Sequence, residues 1–329
     1  MTEQHWNAVR FDPAHAGRGH VESYFLKLNE PDGRRALWLK ATILDRRGVA
    51  EPVAEAWAIA FDRQGEHVAT KQIAAWREAS FSREALGARV AALCFAEGHT
   101  QGAVESGGRR ISWDLDFTTD APPLVPFFHP RMYEGRLPSS KLVTPHPDSR
   151  FVGRYSVGGA EVEVEGWRGM QGHNWGRRHA ELYGWAHCNQ WDEGEDAVLE
   201  GVTARVKVGP VLLPPLTVLC LRHRGVRYDF NRPADILRAR ATITPRSWSF
   251  RAHSDLGHIE GELSAPTRDF AGLYYENPDG AMTYCLNSKI AEGRLRLALA
   301  GRAPLVLTTR AAALEIGTKD ASHGVRMLV

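Results

Sequence analysis

A chain of 329 residues is long for one compact core and suits two domains, although an all-β unit can run past about two hundred residues by itself. With 41 Lys and Arg against 39 Asp and Glu the formal charge is only +2, which supplies no global field to draw in nucleic acid or an anionic membrane. Cys94, Cys188, Cys220 and Cys285 are far apart with no C-x-x-C, and the start MTEQHWNAVRF lacks the basic-then-apolar layout of a secretory signal, so reduced thiols in a cytoplasmic protein are expected.

Taken in chain order, the first region places Glu22, Trp38 and Lys40 on one alternation face, with Trp38 read as core and Lys40 as a solvated strand edge. Residues 80–95 have Ser, Glu and Ala where a helix would want them, but Gly87 falls in the middle, and the segment stays open between helix and strand. RISWDLDF is a half-buried strand: Ile111, Trp113, Leu115 and Phe117 share one face, while Ser112, Asp114 and Asp116 share the other. Residues 121–147 are proline-rich and aperiodic, as a surface connection would be, and the domain junction is placed at or just after them, dividing the chain into 1–150 and 151–329.

Alternation resumes around Val162 and Val164, then in SWSFRAH at Trp248 and Phe250 and in GRLRLALAG at Leu295, Leu297 and Leu299. The apolar run from Pro210 to Leu221 is broken by Pro214 and Pro215 and falls short of the ~20 residues of a membrane helix, so no integral membrane segment is expected. Tyr274, Tyr284 and Asn287 read as residues that close the second unit. Turn signals such as EPDGRR (30–35), DRQGEH (62–67), ESGGRR (105–110), DEGED (192–196) and NPDGAM (277–282) separate the strands at hairpin spacing. The expectation is an all-β fold of antiparallel sandwiches or barrels.

The densest chemistry lies in MQGHNWGRRHAELYGWAHCNQW, residues 170–191. As a strand, ELYGWAHCNQW would put Tyr183, Trp185, His187, Asn189 and Trp191 on one side and Leu182, Gly184, Ala186, Cys188 and Gln190 on the other. The small face suits a packed, curved sheet. The large polar-aromatic face needs either satisfied backbone partners, as a plain core wall would have, or a ligand in a cavity. The turn DEGED returns the chain through AVLEGVTARV, bringing Glu200 within reach of that face. A zinc site is the weaker option, since His173, His179 and His187 form no recognised ligand spacing. G-x-S-x-G, Walker and dinucleotide loops are all missing, so neither a serine nucleophile nor a nucleotide cofactor is expected.

The order PSSKLVTPHP, RFVGRYSVGGAEVEVEGWRGMQGHNWG, GWAHCNQW resembles the lipocalin-like superfamily that includes tocopherol cyclase and the carotenoid hydratase hydroxyneurosporene synthase. His173, Asn174, Trp175 and Gly176, followed by Trp185, Cys188 and Asn189, are most similar to the tocopherol cyclase pattern. Residues 22–43 and 274–291 resemble the opening and closing strands of the two domains. The resemblance implies two lipocalin-like barrels packed side by side and a lipophilic, often isoprenoid, ligand in an aromatic cavity. Of the His, Trp, Tyr and Asp thought to serve the hydratases, His173 and Trp175 carry over, while Trp185 and His187 stand where the Tyr and Asp would be sought.

Adding water or a hydroxyl across an alkene needs a proton donor in a dry pocket and a means of holding the developing cation. The expected donors are His173 and His187, oriented by Glu181 and Glu200, with Trp175, Tyr183, Trp185 and Trp191 as the wall and Asn174 and Asn189 on the ligand. This describes an isoprenoid cyclase or hydratase without cofactor. A non-catalytic carrier of a hydrophobic molecule is the alternative, and a stress or assembly protein with no defined cavity is the third reading.

Overall fold

The computed structural model describes residues 5–135, 137–208 and 211–329. Eleven antiparallel strands build the first sheet: β1 (His20–Asn29), β2 (Arg35–Asp45), β3 (Val53–Asp62), β4 (Val68–Ala75), β5 (Ala79–Phe81), β6 (Gly87–Val90), β7 (Leu93–Ala96), β8 (His99–Ser106), β9 (Arg109–Thr118), β10 (Ser140–Val157) and β11 (Ala160–Gly176). Their order is β4-β3-β2-β1-β11-β10-β9-β8-β7-β6-β5, and the sheet curls into a nearly closed barrel in which the Lys71 amide of β4 donates to Ser106 Oγ of β8 at 3.0 Å. The second sheet takes β12 (Leu182–Cys188), β13 (Ala197–Arg205), β16 (Leu216–His223), β17 (Val226–Phe230), β18 (Arg240–Thr244), β19 (Ser247–Ser254), β20 (Gly257–Ser264), β21 (Ala271–Glu276), β22 (Met282–Leu299) and β23 (Leu305–Thr318), with β14 (Lys207–Val208) and β15 (Val211–Leu212) as a separate ribbon. The fold is all-β, two lipocalin-like antiparallel units side by side.

Each unit has its own core. The first gathers Tyr24, Leu26, Leu28, Leu37, Leu39 and Phe95; the second is built around Trp248, with Ala186, Cys188, Leu199, Leu219 and Leu314. Trp248 is wholly buried because Gly184 and Gly201 leave it room: a Cβ on Gly184 would lie 2.9 Å from its ring and one on Gly201 3.0 Å. The small face read in β12 is therefore the seat of a tryptophan. Losing that indole would cost about 3–5 kcal/mol.

Residues 80–95 form β5, β6 and β7 rather than a helix. Gly87 opens β6, where a Cβ would come within 2.8 Å of the Ser82 Cβ. Residue 150 lies inside β10, and β10 and β11 both pair within the first sheet, so the chain changes sheet between Gly176 and Leu182, downstream of the division expected from the sequence. The proline-rich stretch hides the start of a strand. Pro145 and Pro147 lack the N–H that a ladder needs, and the β10–β11 register shifts between Val143 and His146 and again before Ser149. The rest of this connection, with the short helix α1 (Arg131–Glu134), crosses to the second sheet, where Arg222, Arg227 and Asn231 donate to the carbonyls of Pro122, Val125 and Pro126.

A third apolar cluster joins the sheets, with Phe25, Trp38, Trp57 and Ile59 from one side and Trp185, Ala271, Leu273, Tyr275 and Ala313 from the other. Strand β2 is consequently buried on both faces: Leu37 and Leu39 point into the first core, Trp38 and Lys40 toward the second unit. Among the described residues no helix is long and apolar enough to cross a membrane.

Candidate active site

Between the two sheets lies a cavity of about 270 Å³. Val21 and Phe25 of β1, Trp38 and Lys40 of β2, and Asn174 and Trp175 of β11 form one wall; Tyr183, Trp185, Val202, Val218, Tyr275 and Glu315 form the other. The connection closes it with Phe127, Phe128, Met132 and Leu142. Tyr183 reaches the cavity because Gly317 across the ladder has no side chain, and a Cβ there would overlap the phenol ring. Phe25 lies over Gly172 in the same way.

Few polar groups face this apolar space. The Glu315 carboxylate accepts from Lys289 Nζ at 2.7 Å and from Asn287 Nδ2 at 3.1 Å. Burial holds the Lys289 amine below its ordinary pKa against the pull of Glu315. Lys40 Nζ stands 3.7 Å from the centroid of the Tyr275 ring, and burial lowers its pKa to about 8. His179 is anchored by Asn277, whose amide is oriented because its Nδ2 donates to the Ala281 carbonyl and to Thr283 Oγ1. Asn277 Oδ1 then accepts from the His179 backbone N–H at 2.8 Å and from Nδ1 at 3.1 Å. That assignment puts the proton on Nδ1 and leaves Nε2 as a lone pair with no partner among the described residues. Burial first, and then the Lys40 charge, bring this imidazole down to about 4, so it is neutral at physiological pH.

Behind Trp185 sits Glu200, fully buried, accepting from Trp185 Nε1 at 2.5 Å and from Thr144 Oγ1 at 2.9 Å. Burial raises its pKa to about 8 and outweighs both hydrogen bonds, so the carboxyl is protonated at neutral pH, with Thr144 able to turn and accept. It holds the indole in place and does not itself line the cavity. His187, on the same strand face, donates through Nε2 to the Pro147 carbonyl, 2.9 Å away. Burial and the nearby Lys27 push its pKa well down, and Nδ1 has no partner among the described residues. A neutral imidazole outside the cavity lining cannot be the proton donor expected of His187.

His173 is also elsewhere. It points into the first barrel, stacked at 4.3 Å on Tyr24, with Nδ1 at the Trp6 carbonyl and Nε2 at Glu22 Oε1. Glu22 shares that interior face, opposite to Trp38 and Lys40, because its neighbours along β1 are Tyr24 and Leu26. Trp175 does border the cavity, but Arg10 already stands 5.0 Å from its ring centroid. Asn174, on the outer face of β11, lines the cavity. Asn189 is a fastener between the units, accepting from Lys27 Nζ and donating to Asp148 Oδ1 and the Gly169 carbonyl. Trp191 leaves the face altogether: β12 ends at Cys188, and the indole turns into the second core and donates to the Ala197 carbonyl. Glu181 is paired with Arg178 at the rim.

The structure thus brings together Asn174, Tyr183, Trp185 and, through its hydrogen bond, Glu200, and separates His173, His187, Asn189, Trp191 and Glu181 from the cavity. Lys40, His179, Tyr275, Lys289 and Glu315 went unread as site residues. A signal for three of them was present: Lys40 in ALWLKATI, Lys289 in LNSKIA and Glu315 in AAALEIG are single charges inside apolar strands, where an unpaired charge is costly.

Residues 138–318 match the tocopherol cyclase-like family. An uncharacterized protein of Mycobacterium tuberculosis, Rv0493c, is 28% identical over 312 residues, covering 92% of this chain and 87% of its own. Among solved structures, a Nitrosomonas europaea protein assigned as AttH superposes with a TM-score of 0.54 at 14% identity, covering 97% of this chain and 98% of that one. CghA gives 0.53 at 10% identity over 97% and 98%. Kievitone hydratase from Nectria haematococca gives 0.50 at 10% identity over 96% and 95%; at such identities these likenesses speak for the fold alone. The match from Pro138 to Thr318 takes in β10, β11 and the whole second sheet, and on it this chain belongs to the tocopherol cyclase-like family.

Proposed function

We propose that the protein is a cyclase or hydratase that adds a hydroxyl or water across a carbon–carbon double bond of a lipophilic small molecule in the cavity between the sheets. The observation that carries this reading is His179: a neutral imidazole whose Nε2 has no partner among the described residues, held by an oriented amide, in an otherwise apolar and aromatic space. Nε2 takes the proton as the attacking oxygen bonds to one carbon of an alkene conjugated to an electron-withdrawing group, the π pair shifts to the neighbouring carbon, and the imidazolium returns the proton there. No group leaves, and His179 ends as it began. With a pKa near 4 the imidazolium is a strong enough acid to give that proton up readily. The Tyr275 ring, its centroid 5.2 Å from that of the imidazole, favours the imidazolium while it holds the proton. Family membership and the hydratase among the structural neighbours support the reaction class, and the apolar lining suits an isoprenoid-type chain.

Native mass spectrometry and organic extraction of protein from its own host would identify the bound molecule, which is then incubated with enzyme in heavy water. The product should carry one deuterium on carbon, and His179→Gln should abolish its formation. A carrier, which the same apolar lining would serve, returns the compound unchanged with wild type, and that outcome refutes the enzyme reading.

A further inference from the structure

Lys40 is nearly inaccessible to solvent, yet among the described residues its Nζ has neither a hydrogen-bond acceptor nor a carboxylate at ion-pair distance. The carboxylates around it are engaged: Glu315 with Lys289 and Asn287, Glu55 with Lys71 and Trp57. Two neutral donors in the same wall, the Trp38 indole N–H and the Tyr275 hydroxyl, are likewise buried without partners among the described residues. Lys141, also in the lining, is held by the Gly135 and Pro138 carbonyls, Arg178 is paired with Glu181, and Glu200 and His179 contribute no charge at neutral pH, so the Lys40 ammonium faces the cavity with no partner among the described residues. The Tyr275 face offsets part of the cost of burying that ammonium; an acceptor is still missing.

We infer that Lys40 is the binding site for an anionic oxygen at the end of the lipophilic substrate, a carboxylate or an ionised phenol or enol, seated on Nζ beside Trp38 and Tyr275. The inference rests on the reading of this cavity as the substrate site. It makes the substrate a lipophilic acid, anchored at one end by Lys40 while the chain extends along Phe25, Val202 and Val218.

Isothermal titration calorimetry with decanoate, 4-hexyl-2-nitrophenol, decan-1-ol and decyltrimethylammonium, on wild type and Lys40→Met, tests this. Wild type should hold at least one of the two acids roughly tenfold or more tighter than decanol, as expected for a hydrogen bond to a charged group, and the cation weakest. The acid that gains more names the group. In Lys40→Met the preference should vanish with decanol affinity kept, and the ligand-free variant should melt above wild type because an unpaired buried charge is gone. Equal binding of acids and alcohol by wild type, a preference that survives the substitution, or a lower melting temperature would overturn the inference alone. If decanol also fails to bind, the cavity is not a substrate site and the proposed function falls with it.

Discussion

Strand β1 separates two buried polar centres that look alike in composition and differ in how completely they are satisfied. On its inner face the Glu22 carboxylate accepts from the Arg10 and Phe11 amides, Tyr24 OH, His20 and His173, all between 2.8 and 2.9 Å. Burial alone would raise its pKa, but the hydrogen bonds from His173 and His20 hold it well below the ordinary carboxylate range. On the outer side, Lys40, His179 and the donors of Trp38 and Tyr275 face a cavity with open valences. A histidine whose two nitrogens and stacking faces are all occupied is architecture; one with a free nitrogen in a cavity is available for chemistry.

The largest effect expected from this contrast is on stability. Glu22→Ala leaves His173 and two amides without their acceptor and should cost about 3–5 kcal/mol in urea unfolding. Because the folded pKa of Glu22 is depressed, the wild-type contribution is present above 4.5 and is lost as pH falls below it; the variant should lack that acid-limb loss. A mild cost would erase the distinction between the two centres. Next comes His179→Gln, which should lower turnover roughly hundredfold or more with a melting temperature close to wild type, since the backbone N–H to Asn277 remains. The opposite pattern, full turnover with lost stability, would assign His179 to the framework.

Trp185→Phe is smaller: the ring still fills the wall, but Glu200 loses a donor, and about 1 kcal/mol should disappear from unfolding together with some ligand affinity. Smallest at pH 5 is Glu200→Gln. With a folded pKa of about 8 against an ordinary 4.5, the stability tied to its proton is full below 4.5 and fades as pH rises through 8. The amide variant should match wild type at pH 5 and melt higher at pH 8.5; identical melting curves at both would mean the carboxyl is not held in its acid form.

Some of the site could be read directly. Alternation along β12 separated Tyr183 and Trp185 from Gly184 and Ala186, and the hairpin DEGED placed Glu200 opposite His187. The same alternation failed past Cys188, where the strand ends and Trp191 turns inward. Aromatic density was a sound guide to a wall, but it drew the proton chemistry to His173 and His187, whose partners come from Trp6, Glu22 and Pro147, distant in sequence.

Periodicity and turn chemistry, both local properties, determined that the chain is all-β, where most of its hairpins fall, and which strand faces are large or small. Which of two faces meets solvent, a core or another sheet depends on what packs against it. A one-sided reading made Lys40 a solvated edge, whereas the second unit covers the outer face of β2 and seals that amine in a cavity. Only the tertiary structure decided this, because the cost of a buried charge and the availability of a free ring nitrogen are set by partners brought from far along the chain: Tyr275 under Lys40, Asn277 behind His179, Lys289 across from Glu315.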